Sequence, residues 1–289
     1  MAISSAQIRQ VTAELYERSL RKIPDETRQA LEDAAARESN PIAKGTLEVM
    51  LRSAAAAEEF GHFVCSDSGI PVYFVRIGTK VHFDGPLKQA IVDGFADLVA
   101  TINPPLLPHV TNPLTLERGH AGKDMPITTF EVIDDADYIE ITCSPKALGS
   151  GRWAALEIFT FPTLDVIESY VLDVVMKAGP QHCPPVVIGV GIGGTFDYAA
   201  KLAKQAMLRP VGLASPEPIL ASMEQRLLKA VNSLGFGPMG TGGDATSMAV
   251  HIEYASGHGF TPVAVCFNCW INRRRSARIH NDGRVEYFE

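Results

Sequence analysis

The chain has 289 residues, 46% hydrophobic and 20% charged, with 33 acidic against 26 basic side chains and a net charge of −7. This excludes a disordered chain, allows a substantial core in one large or two modest domains, and argues against sequence-independent nucleic-acid binding, which needs basic side chains. No run approaches ~18 consecutive apolar residues, so no membrane span is expected. The opening Met1–Gln7 lacks a basic start followed by an apolar run, which leaves the cytoplasm as the default compartment. From residue 4 to about 60 the pattern is helical, with Ile8, Val11, Leu15, Tyr16 and Leu20 at helical spacing. Pro24 and Pro41 punctuate that stretch, and Asp25-Glu26 supply an acidic first turn.

The period then changes. Segments 71–77, 127–132 and 138–142 are rich in β-branched and aromatic residues and read as strands, with Asp134–Asp137 between the last two as a hairpin turn. Val186–Val190 reads as a buried strand, followed by a glycine loop and a helix that Thr195 can cap, running to about Leu208. A helix is expected over Pro216–Leu234, closed by Gly235, and a last strong strand at Val263–Phe267. The expected fold class is α/β: mixed sheets flanked by helices, with a helical N-terminal segment. As domains, a segment 1–60 packs on a main domain 61–289.

The five cysteines are Cys65, Cys143, Cys183, Cys266 and Cys269. An odd number in an unexported chain argues against a disulfide framework. Cys65, Cys183 and Cys269 all sit where strands meet loops, and three dispersed thiolates can converge on one soft metal centre. The alternative is three unrelated buried cysteines. Cys266 and Cys269 have the C-x2-C spacing of half a zinc site, but no second half follows, and a strand there would turn them to opposite faces. Cys143 is most simply a strand residue.

Gly189, Gly191 and Gly194 match the G-x-G-x-x-G order before a helix, yet no acidic residue stands about 20 positions on to bind a ribose. The loop is then either a phosphate-binding turn or a place of close packing. Gly235–Gly243 is a second glycine-rich loop whose N–H groups could approach a small anion. On a strand, His251 and Glu253 would share a face. Arg273-Arg274-Arg275 reads as a solvated turn, an anion site or a subunit contact.

Several separated motifs in one order resemble the α (N-terminal) part of iron–sulfur hydro-lyases, the class I fumarase and L-tartrate dehydratase group. They are Cys65-Ser66-Asp67-Ser68-Gly69 with its following strand, Arg118–Pro126, Ser144–Ser150, Cys183-Pro184-Pro185 with the 188–195 loop, Gly235–Gly243 with Val250–Glu253, and Pro262–Arg274. The resemblance implies a lyase carrying a 4Fe-4S cluster on Cys65, Cys183 and Cys269, with one iron left open for a hydroxyl and a carboxylate. It implies reversible hydration and dehydration of a hydroxy-dicarboxylate. Asp67 and His258 match its catalytic residues. Ser66, Arg118, Gly122, Lys146, Gly149 and Ser150 fall in segments that line its substrate pocket. Because single-chain members carry a further C-terminal part, the resemblance also implies a separate β subunit, in a cytoplasmic α2β2 heteromer.

The chain departs from the family pattern at Ser66, at Leu106-Leu107, where an arginine is expected, and at His120-Ala121. Losing a bidentate arginine points away from fumarate and unmodified tartrate, toward a substituted or differently shaped hydroxy-acid. His109, Arg118 and His120 are the candidates to replace the lost contacts. The rival readings are a non-catalytic paralogue that retains the fold and a nucleotide-binding protein that uses the first glycine loop.

Overall fold

The structure is a computed structural model and describes residues 2–289. The chain divides into two compact units that interleave in sequence. Unit one takes Met1–Pro24, Ala54–Ala147 and Arg273–Glu289, and unit two takes Asp25–Ser53 and Leu148–Asn272. The helical opening forms as the periodicity demands, as Ser5–Arg21, Asp25–Arg37 and Pro41–Phe60.

Unit one is built on a five-stranded mixed sheet. Its strand order is Val285–Phe288, Arg275–His280, Tyr138–Cys143, Val72–Gly78, Ile127–Ile133. Only the last pair is parallel. Asp134–Asp137 is therefore not a hairpin turn, because the two strands it joins lie on either side of Val72–Gly78. The link crosses the end of that strand at Gly78, where a Cβ would fall 2.2 Å from the Ala136 carbonyl oxygen, so only glycine admits it.

Helix Ser5–Arg21 opens with a capping box, in which the Ser4 hydroxyl accepts from the Gln7 N–H and the Gln7 side chain accepts from the Ser4 N–H. Its apolar stripe Ile8, Val11, Leu15, Tyr16 and Leu20 is fully sunk in the core with Tyr73, Ile139 and Ile141. Helix Leu87–Thr101 packs along it, with Tyr16 and Phe95 edge to face at 5.1 Å.

Unit two holds a four-stranded sheet in the order Ser247–Ala255, Val186–Gly193, Phe260–Asn268, Ala155–Thr160. The first pair is parallel and the others antiparallel. Helices Leu164–Ala178 and Pro218–Ser233 share a core with its strands through Val171, Val175, Met223, Leu227, Val186, Ile188 and Phe267. Helix Phe196–Ala206 packs through Ala199 and Ala203 onto Ala264 and Cys266. Thr195 stands at its N-cap position, but its side chain makes no capping bond to the helix.

The first glycine loop owes its composition to this packing. A Cβ on Gly189 would lie 2.1 Å from the Ala203 carbonyl oxygen, and one on Gly191 2.0 Å from that of Ala199. The glycines let a helix settle directly on strand backbone, which is the close-packing reading of the motif. The second loop spends its N–H groups internally. Gly237 donates to Thr246 Oγ1, Met239 to the Pro184 carbonyl, Gly240 to Gly237 and Gly242 to Phe236. The expectation of free donors for an anion does not hold at those positions.

Candidate active site

In unit one the Cys65–Gly69 loop is held from three directions. The buried Tyr16 hydroxyl donates to the Ser68 and Gly69 carbonyls, both at 3.0 Å. Burial pushes the Tyr16 phenol well above its ordinary range, so it stays a neutral donor. Arg273 donates through Nη1 to the Asp67 carbonyl at 2.5 Å and through Nη2 to the Cys65 carbonyl at 3.5 Å. Ile70 and Lys146 exchange two backbone hydrogen bonds of 3.0 Å. Gly69 lies against the Lys146 backbone, where a Cβ would meet the carbonyl carbon at 2.7 Å. Within the loop, Asp67 Oδ1 accepts from the Gly69 N–H at 3.0 Å, which closes an Asx turn. Cys65 and Asp67 are half-buried and Ser66 is exposed.

His109 joins this loop, with its Nε2 3.5 Å from Asp67 Oδ1. It precedes a two-stranded ribbon in which Val110–Thr111 pairs with Arg118–Gly119. Arg118 is exposed and its Nε donates to the Pro108 carbonyl at 3.1 Å. Gly122 faces Val110, where a Cβ would stand 3.1 Å from Cγ1.

In unit two Cys183 follows the 3-10 turn Gly179–His182 and adopts a left-handed conformation, φ 58° and ψ 63°. A side chain there costs about 1–2 kcal/mol relative to a right-handed position. The Trp270 N–H donates to the Cys183 carbonyl at 3.2 Å, which ties the residue after Cys269 to Cys183. The Cys269 turn is closed by the Asn272 N–H on the Cys269 carbonyl at 2.9 Å. It is braced by Asn268 Nδ2 donating to Asn272 Oδ1 and Asn272 Nδ2 donating to Thr27 Oγ1.

Gly149 presents its bare Cα to the Cys183 thiol, and a Cβ would lie 3.7 Å from Sγ. Ser150, buried, belongs to the same short turn Leu148–Gly151, which packs on Gly179–His182 and Phe260–Asn268. His182 is fully buried, and burial lowers it to about 4, so it is neutral beside Phe267.

The site residues thus fall into two loop groups: Cys65, Ser66, Asp67 and Lys146 in unit one, with Arg118 and Gly122 on the adjoining ribbon, and Gly149, Ser150, Cys183 and Cys269 in unit two. His258 lies in neither. It precedes strand Phe260–Asn268 at the end opposite Cys269, about 25 Å away at ~3.3 Å per residue. Its ring stacks on Phe260 at 5.0 Å, and its Nδ1 accepts from the Phe260 N–H, which leaves the proton of the neutral ring on Nε2.

Of the three readings of the arginine run, the solvated turn does not hold. Arg273, Arg274 and Arg275 are buried, not a solvated turn. Arg275 begins a strand, donates to the Lys22 and Ile23 carbonyls and pairs with Glu289 at 3.2 Å.

Of the five cysteines, Cys65, Cys183 and Cys269 are half-buried, while Cys143 and Cys266 are buried. Burial raises the Cys143 thiol far above its ordinary range, which makes it inert. The Cys266 sulfur lies inside the strand, 3.5 Å from Met207 Sδ. Among the described residues no group of three or more His, Cys, Asp and Glu side chains is gathered to hold a metal ion. The chemistry of the donors nevertheless suits iron and sulfide: Cys65, Cys183 and Cys269 are half-buried thiols on anchored loops, with Gly149 leaving space beside Cys183. No helix among the described residues is long and apolar enough to cross a membrane.

The sequence model of the fumarate hydratase (Fumerase) family matches residues 9–278, and the chain belongs to that family of hydro-lyases. Among curated proteins it is 37% identical to "Putative L(+)-tartrate dehydratase subunit alpha" of Methanocaldococcus jannaschii, over 96% of this chain and 100% of that one. It is 29% identical to the L(+)-tartrate dehydratase subunit alpha of Escherichia coli strain UTI89 and to that of Shigella sonnei, over 90% of this chain and 87% of theirs.

Proposed function

We propose that the chain is the α subunit of a 4Fe-4S hydro-lyase acting on a hydroxy-dicarboxylate of the tartrate or malate type. The observation that carries the reading is the split among the cysteines, in which the three that match the family's ligand positions are the three that are not buried. Cys65, Cys183 and Cys269 would hold the cluster. When bound, it supplies a Lewis-acidic iron with a free position, which makes hydroxide a feasible leaving group without redox change.

The chain's own residues bind and orient the substrate. Asp67, fixed by its Asx turn, presents a carboxylate beside Cys65. Lys146 offers a cation to a substrate carboxylate, and Ser66, Arg118 and Ser150 offer donors. Gly122 and Gly149 keep side-chain bulk out of the pocket. His258, whose Nδ1 is held by the Phe260 N–H, offers its Nε2 as the hydrogen-bonding end of the ring for proton handling. In this reading an α2β2 assembly brings His258 to the pocket. The subunit names of the relatives support a β partner that completes the pocket, and reduced thiols suit the cytoplasm.

The departures at Ser66, Leu107 and His120-Ala121 support a substituted acid over fumarate. The test is co-expression with a β-type partner, anaerobic reconstitution with iron and sulfide, and a screen of hydroxy-dicarboxylates. A brown αβ complex that dehydrates a substituted hydroxy-dicarboxylate in preference to L(+)-tartrate and malate is expected, with α alone inactive or nearly so. A colourless complex, or activity of reconstituted α alone, would overturn the reading. Equal preference for unmodified malate would remove the substituted substrate. A non-catalytic paralogue would bind the cluster and turn over nothing.

A further inference from the structure

The ring nitrogen of His109 that faces Asp67 is buried and has no hydrogen-bond partner. At 3.5 Å from Asp67 Oδ1 it is too far for a good hydrogen bond, yet its place opposite a carboxylate oxygen means that Nε2 carries a hydrogen, since a lone pair there would be repelled. Nearly all buried donors in folded proteins are satisfied, and one left unmade costs about 1–3 kcal/mol. Here the cost is borne beside the Cys65–Gly69 loop, whose backbone Tyr16 and Arg273 hold still. Arg118 flanks the same position, its Nε donating to the carbonyl of Pro108, the residue before His109. The neighbouring Leu107 is exposed and offers no donor.

We infer that His109 is a substrate-binding and specificity-determining residue, whose Nε2–H donates to a carboxylate or hydroxyl oxygen of a hydroxy-acid seated against the Asp67 loop. The inference rests on the hydro-lyase reading and names the residue that tells one acid from another at that site. An oxygen that accepts from Nε2 satisfies the orphaned donor, so an acid that places no oxygen there leaves it buried and unpaired. Discrimination then comes from the penalty on the wrong acid as much as from attraction to the right one.

The test uses the reconstituted αβ enzyme with His109→Leu and His109→Gln, the latter keeping an N–H near the same place. L(+)-tartrate and L-malate serve as probes, each read by KM, by kcat and by the rise in melting temperature that it causes. Loss of one such hydrogen bond to an anion should raise KM for the better substrate about 10- to 100-fold with a much smaller change in kcat. His109→Leu should shrink the ligand-induced rise while leaving the ligand-free melting temperature unchanged or higher, and His109→Gln should restore most of both effects. Unchanged KM and melting shifts in His109→Leu would overturn the inference while leaving the hydro-lyase reading intact. So would an equal loss in both variants, which marks a structural role. If the wild-type enzyme binds neither acid, the tartrate- or malate-type substrate reading fails and the inference with it.

Discussion

The Cys65 loop and the Cys183–Cys269 pair of turns are anchored by different means. The first is held by side chains from distant parts of the chain, Tyr16 near the start and Arg273 near the end, each donating to loop carbonyls. The second is held by backbone at Cys183, left-handed and tied through its carbonyl to the Trp270 N–H, and by an asparagine side-chain ladder behind Cys269. A loop tied by side chains can be loosened one residue at a time. A turn tied by main-chain geometry resists single substitutions, except at the residues of positive φ, Cys183 and Asn272.

The strongest way to break the comparison removes the thiols. Cys65→Ala, Cys183→Ala and Cys269→Ala should each abolish stable iron and sulfide uptake, measured by visible absorbance and by iron and sulfide analysis after anaerobic reconstitution. Cys143→Ala and Cys266→Ala should retain it. Normal uptake by any of the first three would sink the ligand assignment.

A smaller effect is expected from Arg273→Met. It strands two loop carbonyls and should cost about 3 kcal/mol in denaturant unfolding, with slower cluster assembly. A stability equal to wild type would show that the Cys65 loop needs no clamp. The smallest change is Tyr16→Phe, which removes a hydroxyl and keeps the ring against Phe95. A loss of about 1 kcal/mol is expected. A cost as large as that of Arg273→Met would mean that the hydroxyl bears most of the loop's restraint.

Much of the scaffold was legible because its periodicities are strong. The helical stripe Ile8–Leu20 and the runs Val72–Gly78, Val186–Gly193 and Phe260–Asn268 stand close to where the pattern puts them. Helices Leu87–Thr101 and Leu164–Ala178 were not singled out, although their apolar spacing was there to read. Strand order was not readable, since a four-residue link such as Asp134–Asp137 suits a hairpin and a crossover alike. The arginine run misled because charge predicts exposure, while guanidinium groups can be buried when backbone carbonyls receive them. The signal available was position: three arginines running into a strand-like segment, four residues past Cys269. His109 was noted only as a candidate, because nothing local in sequence tells that it meets Asp67.

The chain passes between its two units after Pro24, Ser53, Ala147 and Asn272. Strand Arg275–His280 lies between Val285–Phe288 and Tyr138–Cys143, so the last seventeen residues fill out a sheet begun about two hundred residues earlier. During translation Tyr138–Cys143 waits as an uncovered edge, open to mispairing, until the final segment arrives. Unit two can gather its sheet while that gap persists. Excising unit one as a continuous fragment would leave it without its closing strands, so its sheet depends on residues 273–289.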